Sequence, residues 1–220
     1  MLNGFRKIIK DRSFPRRLIQ YAAGLVLMAI GGVVLKRTDW GVSPITAVPD
    51  AVSAVTLLTI GTVTVILHAV CVVLQIIVQK RVTLKSLLCF AVGFPFGWLL
   101  DFFLGIWHPQ LLIWQRALFL ILGIAVQGIG VALVSGCDLM LPAPDELNNV
   151  IAGVYDKKLW NVKMVADAIY VLTAVAINLI FLKSVASIGI CSLASVLLTG
   201  QFVKLSFKLF PGIRMPKIQY

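Results

Sequence analysis

Lys163 and Asp167 stand four residues apart inside an otherwise apolar stretch of this 220-residue chain. On a helix that spacing puts both on one face. An ionisable side chain within an apolar span costs roughly 2.5–3.5 kcal/mol on insertion scales, and it usually faces a partner or a water-filled cavity. Two readings follow. In one, the pair is a salt bridge with Lys163 reaching toward the headgroups. In the other, Asp167 is a proton- or ion-coupling carboxylate whose charge the lysine holds or releases.

His68 lies near the middle of another apolar stretch, where it could relay protons near neutral pH or donate one hydrogen bond to a helix carbonyl. Gln75, Gln127 and Asn178 read as interhelical hydrogen bonds. Asp101 closes a span where a solvated carboxylate is cheap, and it is the candidate for gating. Ser43-Pro44 suits a helix start, serine as N-cap and proline in the first turn. Asp145 and Glu146 would fall in the first turn of a second such helix. Those acids would oppose the helix dipole and favour a substrate with a cationic or neutral hydrogen-bonding group.

No catalytic set emerges. The chain has no G-x-S-x-G, no H-E-x-x-H and no G-x-x-x-x-G-K-[ST] phosphate loop. Its two histidines, His68 and His108, fall mid-span and outside, so no shared metal site is expected. Neither an enzyme nor a cofactor is expected. The four cysteines, without a CxxC pair, read as small buried apolar residues rather than disulfides or zinc ligands.

The elements that must position these residues are membrane spans. Sixty per cent of the residues are hydrophobic and 13% charged, about half the share of a soluble domain. Six apolar segments occupy 18–35, 60–78, 86–104, 114–134, 162–182 and 185–207. Trp98, Trp107, Trp114 and Trp160 look like interfacial anchors. Gly93, Pro95 and Gly97 permit a kink or a close helix contact, with packing the simpler reading.

With a cytoplasmic N-terminus, sixteen Lys and Arg lie inside and four outside, a strong positive-inside bias that also places the C-terminus in the cytoplasm. The net charge of +11 therefore sets topology and meets anionic headgroups at the cytoplasmic face; it does not call for nucleic acid. The basic and apolar residues at 5–10 suit a surface-lying segment, and the first span is retained rather than cleaved as a signal.

Laying residue n on residue n+99 aligns Gly24 with Gly123, Ile30 with Ile129, Gly31 with Gly130 and Asp39 with Asp138. Each half has a glycine-spaced span, a long loop with prolines (36–59 and 135–161), then two tightly joined spans. Three spans per half make the second copy enter from the opposite face. The expected fold is all-α and polytopic: six transmembrane helices as two inverted three-helix repeats, with a broken or re-entrant helix after the first span of each. An interfacial helix is the plainer reading of those loops. The expected boundaries are a basic segment at 1–17, repeats at 18–104 and 114–207, an outer connection at 105–113, and a basic tail at 208–220.

The run Gly41-Val42-Ser43-Pro44-Ile45-Thr46-Ala47-Val48-Pro49 resembles the opening loop of the YczE/YyaS/YitT-type bacterial membrane proteins. The likeness extends to Gln75, to Leu99-Leu100-Asp101, to Leu141-Pro142 and to Lys163-x-x-x-Asp167, and so covers nearly the whole chain. It implies a six-span protein of the bacterial cytoplasmic (inner) membrane, suspected of transport, and brings no established substrate. Where those relatives carry glycines after Leu-Pro, this chain has Ala143-Pro144-Asp145-Glu146. The expected function is a small secondary transporter or permease, its candidate substrate or coupling residues being Ser43, Pro44, His68, Gln75, Asp145, Glu146, Lys163 and Asp167. Two alternatives stand: a structural or regulatory membrane protein, and a subunit energised by a separate ATPase. Homo-oligomerisation is left open.

Overall fold

In a computed structural model the described residues are 14–137, 139–183 and 189–209. The surface segment at 5–10, Asp138, the start of the sixth span, most of the basic tail and the Trp160 side chain lie outside them. The described residues form eight α-helices: α1 (Phe14–Lys36), α2 (Pro44–Val55), α3 (Ile60–Gln79), α4 (Leu84–Ile106), α5 (Ile113–Gly136), α6 (Ala143–Val154), α7 (Leu159–Phe181) and α8 (Ile190–Leu209). Five of them, α1, α3, α4, α5 and α7, are long and apolar enough to cross a bilayer, which marks a multi-pass integral membrane protein. The described part of the sixth apolar segment is α8.

Glycine spacing sets the centre of the bundle. A Cβ added at Gly24 would lie 3.0 Å from the Gly130 carbonyl oxygen, and one at Gly130 only 2.8 Å from that of Gly24. The reciprocal contact lets α1 and α5 run backbone against backbone. Gly31 meets Gln127 and Gly123 meets Leu35, so all four glycines of the internal alignment serve one interface. In α4, which stays helical through Pro95, Gly93 abuts the His68 ring and Gly97 abuts Gly61. These glycines serve close packing.

Two helices of 12 residues interrupt the long ones. Gln127 donates to Ser43 Oγ across 3.3 Å, and Gly31 lies against the same glutamine. Ser43 therefore sits level with a point five residues before the end of α1, roughly 8 Å back along its axis. The chain leaves α1, drops back into the bundle, and returns through α2 to the start of α3. At the second short helix, Gln75 of α3 donates to the Ala143 carbonyl at 2.9 Å, and Ala143 packs with Cys71, Val72 and Cys89. Both short helices thus start inside the bundle. The packing is crosswise: α2 lies chiefly on α7, and α6 chiefly on α3.

The loop before α2 is locked to α8. Gly41 has φ +111°, a conformation suited to glycine, and its neighbours bind across the gap: Cys191 N–H donates to the Trp40 carbonyl (3.0 Å) and Ser192 Oγ to that of Val42 (2.7 Å). Trp98 and Trp114 are exposed, as membrane anchors should be. Trp107 departs from that reading, for it packs on the core and its ring lies 5.6 Å from Phe119.

Candidate functional site

The start of α6 gathers most of the ionisable side chains in the bundle interior. Pro142 occupies the N-cap position and Pro144 the first turn, with Asp145 and Glu146 following, as the spacing predicts. Their side chains diverge. Asp145 Oδ1 lies 3.2 Å from Lys163 Nζ of α7, whereas Glu146 Oε1 is 2.6 Å from Lys85 Nζ at the start of α4. Lys163 also approaches Asp167 at 3.7 Å, an i,i+4 ion pair too long for a hydrogen bond. The predicted Lys163–Asp167 pair is thus part of a triad that joins α6 to α7.

On the other side stands α3. His68 is fully buried, with Nδ1 2.8 Å from the Thr64 carbonyl, the helix-carbonyl bond among the two sequence readings. Its helical neighbours Leu67 and Cys71 pack with Ala143 and Leu147 of α6. Cys71 Sγ lies 3.6 Å from the Tyr170 hydroxyl of α7. Three carboxylates face two ammonium groups here, and the helix N-terminus adds a partial positive charge.

Several polar atoms at this tip are buried without a hydrogen-bond partner: His68 Nε2, Gln75 Oε1, Glu146 Oε2, Asp167 Oδ1 and both amide atoms of Asn148. Such a group costs about 1–3 kcal/mol each when left unpaired, so their concentration suits a hydrogen-bonding ligand. Among the described residues no three His, Cys, Asp or Glu side chains group as metal ligands.

The first tip has a different chemistry. Ser43 is the N-cap residue of α2, yet its hydroxyl bonds sideways, to Thr46 Oγ1 (2.9 Å) and Gln127, instead of to a backbone N–H. Pro44 begins the helix and is buried. Deeper in α2, buried Asp50 pairs with Lys36 at 2.6 Å. Asn178 of α7 is fully buried, and neither amide atom has a partner. The expected interhelical bonds exist for Gln75 and Gln127 and not for Asn178.

His68, Gln75, Asp145, Glu146, Lys163 and Asp167 therefore surround the second tip, while Ser43 and Pro44 form the first. Asp101 belongs to neither. Its carboxylate accepts from Thr59 Oγ1 (2.6 Å) and from the Gly61 N–H (2.7 Å), so it caps α3. The sequence reading did not assign Asp50, Lys36, Lys85, Asn148 or Tyr170. Asp50 carried a signal, an acid within an apolar stretch after Pro49, but its lysine lies fourteen positions back in another helix.

A family model described as a family of unknown function (DUF6198) matches residues 15–208, and the chain belongs to that family. Neither the curated proteins nor the solved structures give a match.

Proposed function

We propose that this integral membrane protein is a small secondary transporter or permease for a small molecule, working by alternating access. The observation that carries the reading is the crosswise packing of the two short helices, each starting inside the bundle and lying on the second long helix of the other half. That arrangement suits an inverted repeat whose half-helix N-termini meet a substrate. In this reading α1, α3, α4, α5, α7 and α8 are the six spans, and both short helices are re-entrant. The basic end, with Arg81 and Lys85, faces the cytoplasm of a bacterial inner membrane. The resemblance to the YczE/YyaS/YitT-type proteins supports a six-span architecture, and the positive-inside bias supports the orientation.

The two halves rock about the α1–α5 glycine contact. Asp167 serves as the coupling carboxylate: it is 7% exposed, and its Oδ1 is unpartnered beyond a distant lysine. With one carboxylate in excess at the second tip, the favoured cargo carries a cationic or neutral hydrogen-bond-donating group. No chemical transformation is assigned to the chain. Purified protein in liposomes on a solid-supported membrane tests the reading. A metabolite jump should evoke a transient current in wild type that Asp167→Asn abolishes. No current and no uptake across the library would favour the structural reading, in which the polar groups serve only as glue.

A further inference from the structure

At the end of the bundle bearing Arg81 and Lys85, α1 and α4 splay apart over the returning part of α6 and leave a cleft of about 1040 Å³. It runs from Phe14 to Leu25 along α1 and from Leu84 to Pro95 along α4, roughly 16 Å at 1.5 Å per residue. Its walls are largely apolar, with buried Leu25 and Val92 at the bottom and exposed Leu18 and Ala91 along the sides. Its mouth is polar, with Gln79, Arg81 and Thr83.

Two polar groups single this cleft out. Tyr21 lines it with a side chain 8% exposed, and its hydroxyl is buried without a hydrogen-bond partner. Arg81 stands exposed at the mouth and forms no ion pair among the described residues, whereas nearby Lys85 is held by Glu146. An apolar trough of this depth, one free guanidinium at its rim and one buried hydroxyl along its wall match an amphipathic molecule with an anionic head.

We propose that the cleft holds an anionic phospholipid, its phosphate at Arg81 and one acyl chain between α1 and α4 past Tyr21. The chain's own residues 1–13 are the rival occupant. They carry Arg6, Lys7, Lys10 and Arg12 against Asp11 alone, and a basic rim would repel them. The site does not depend on transport.

Native mass spectrometry of the full chain, equilibrated with equal amounts of phosphatidylglycerol and phosphatidylcholine, tests this. Wild type should retain one phosphatidylglycerol in preference. Arg81→Gln should lower that preference about fivefold, the size of one basic residue's attraction to anionic lipid. Ala91→Trp, which fills the trough from an exposed position, should expel the lipid while leaving the melting temperature in place. Arg116→Gln at the opposite end should change nothing. Equal retention of both lipids would overturn the proposal. So would phosphatidylglycerol that survives Ala91→Trp, which would place it elsewhere on the surface. Ala91→Trp making residues 1–13 protease-sensitive, with no lipid lost, would assign the cleft to that segment instead.

Discussion

Lys163 of α7 reaches Asp145 at the tip of α6 across 3.2 Å, although the two lie eighteen positions apart, and it holds Asp167 on its own helix at 3.7 Å. One ammonium group thus balances two carboxylates from different helices. A change at either acid is felt at the other through the shared lysine.

That relationship predicts strong non-additivity. Lys163→Met leaves both acids facing each other in a low-dielectric interior and should destabilise the protein by about 2–4 kcal/mol. Adding Asp145→Asn should recover at least about 1 kcal/mol of that loss, because one repelling charge is removed. Thermal unfolding in detergent of the single and double variants measures the coupling; additive effects would mean that the lysine holds only one acid.

Asp101 caps α3 through Thr59 and Gly61. Asp101→Ala should therefore cost about 1 kcal/mol, the loss of an N-terminal cap. Transport currents per folded molecule should remain at the wild-type level. A variant of full stability with altered currents would restore a gating role.

The α1–α5 contact is backbone against backbone at Gly24 and Gly130. Gly130→Ala must push α1 away, since its Cβ would stand 2.6 Å from the Met28 nitrogen. A loss of about 1–3 kcal/mol follows from such overpacking. Gly153→Ala, whose Cβ meets nothing within 4 Å, should be neutral in the same melting assay.

Cys137, beyond the end of α5, is buried, and its Sγ donates to the Leu133 carbonyl. Burial pushes its thiol up to about 11. The proton is therefore kept through neutral pH, and the thiolate that reacts with maleimide is scarce until the pH approaches that value. Folded protein should label slowly at pH 7.5 and faster as pH rises toward 11. Rapid labelling at pH 7.5, read by mass shift, would show the segment to be open.

Much of this architecture was legible in the chain because the relevant signals are local. Unbroken apolar runs mark the long helices, and their ends shift by only a few residues, as where α4 begins at Leu84 ahead of the expected Ser86. Ser43-Pro44 and Leu141-Pro142 mark the starts of α2 and α6 because proline fits a first turn. Lys163 and Asp167 share a face by helical spacing alone. The Lys36–Asp50 and Lys85–Glu146 pairs were not legible, since each joins separate helices and depends on how far the chain drops back into the bundle. Trp107 illustrates the same limit. Composition makes it an anchor, but the turn after α4 folds it against Phe119.

The unpartnered polar atoms at the tip of α6, with Asp167, fit a bound ligand. The most direct measurement is a thermal-shift screen of purified wild type and Asp167→Asn against a library of metabolites and ions. A ligand at 100 times its dissociation constant stabilises by about 2.7 kcal/mol, which moves the melting point visibly. At least one cationic or hydrogen-bond-donating hit is expected in wild type and should vanish in Asp167→Asn. A library without hits, beside a variant that only melts at a different temperature, would contradict ligand binding at this tip.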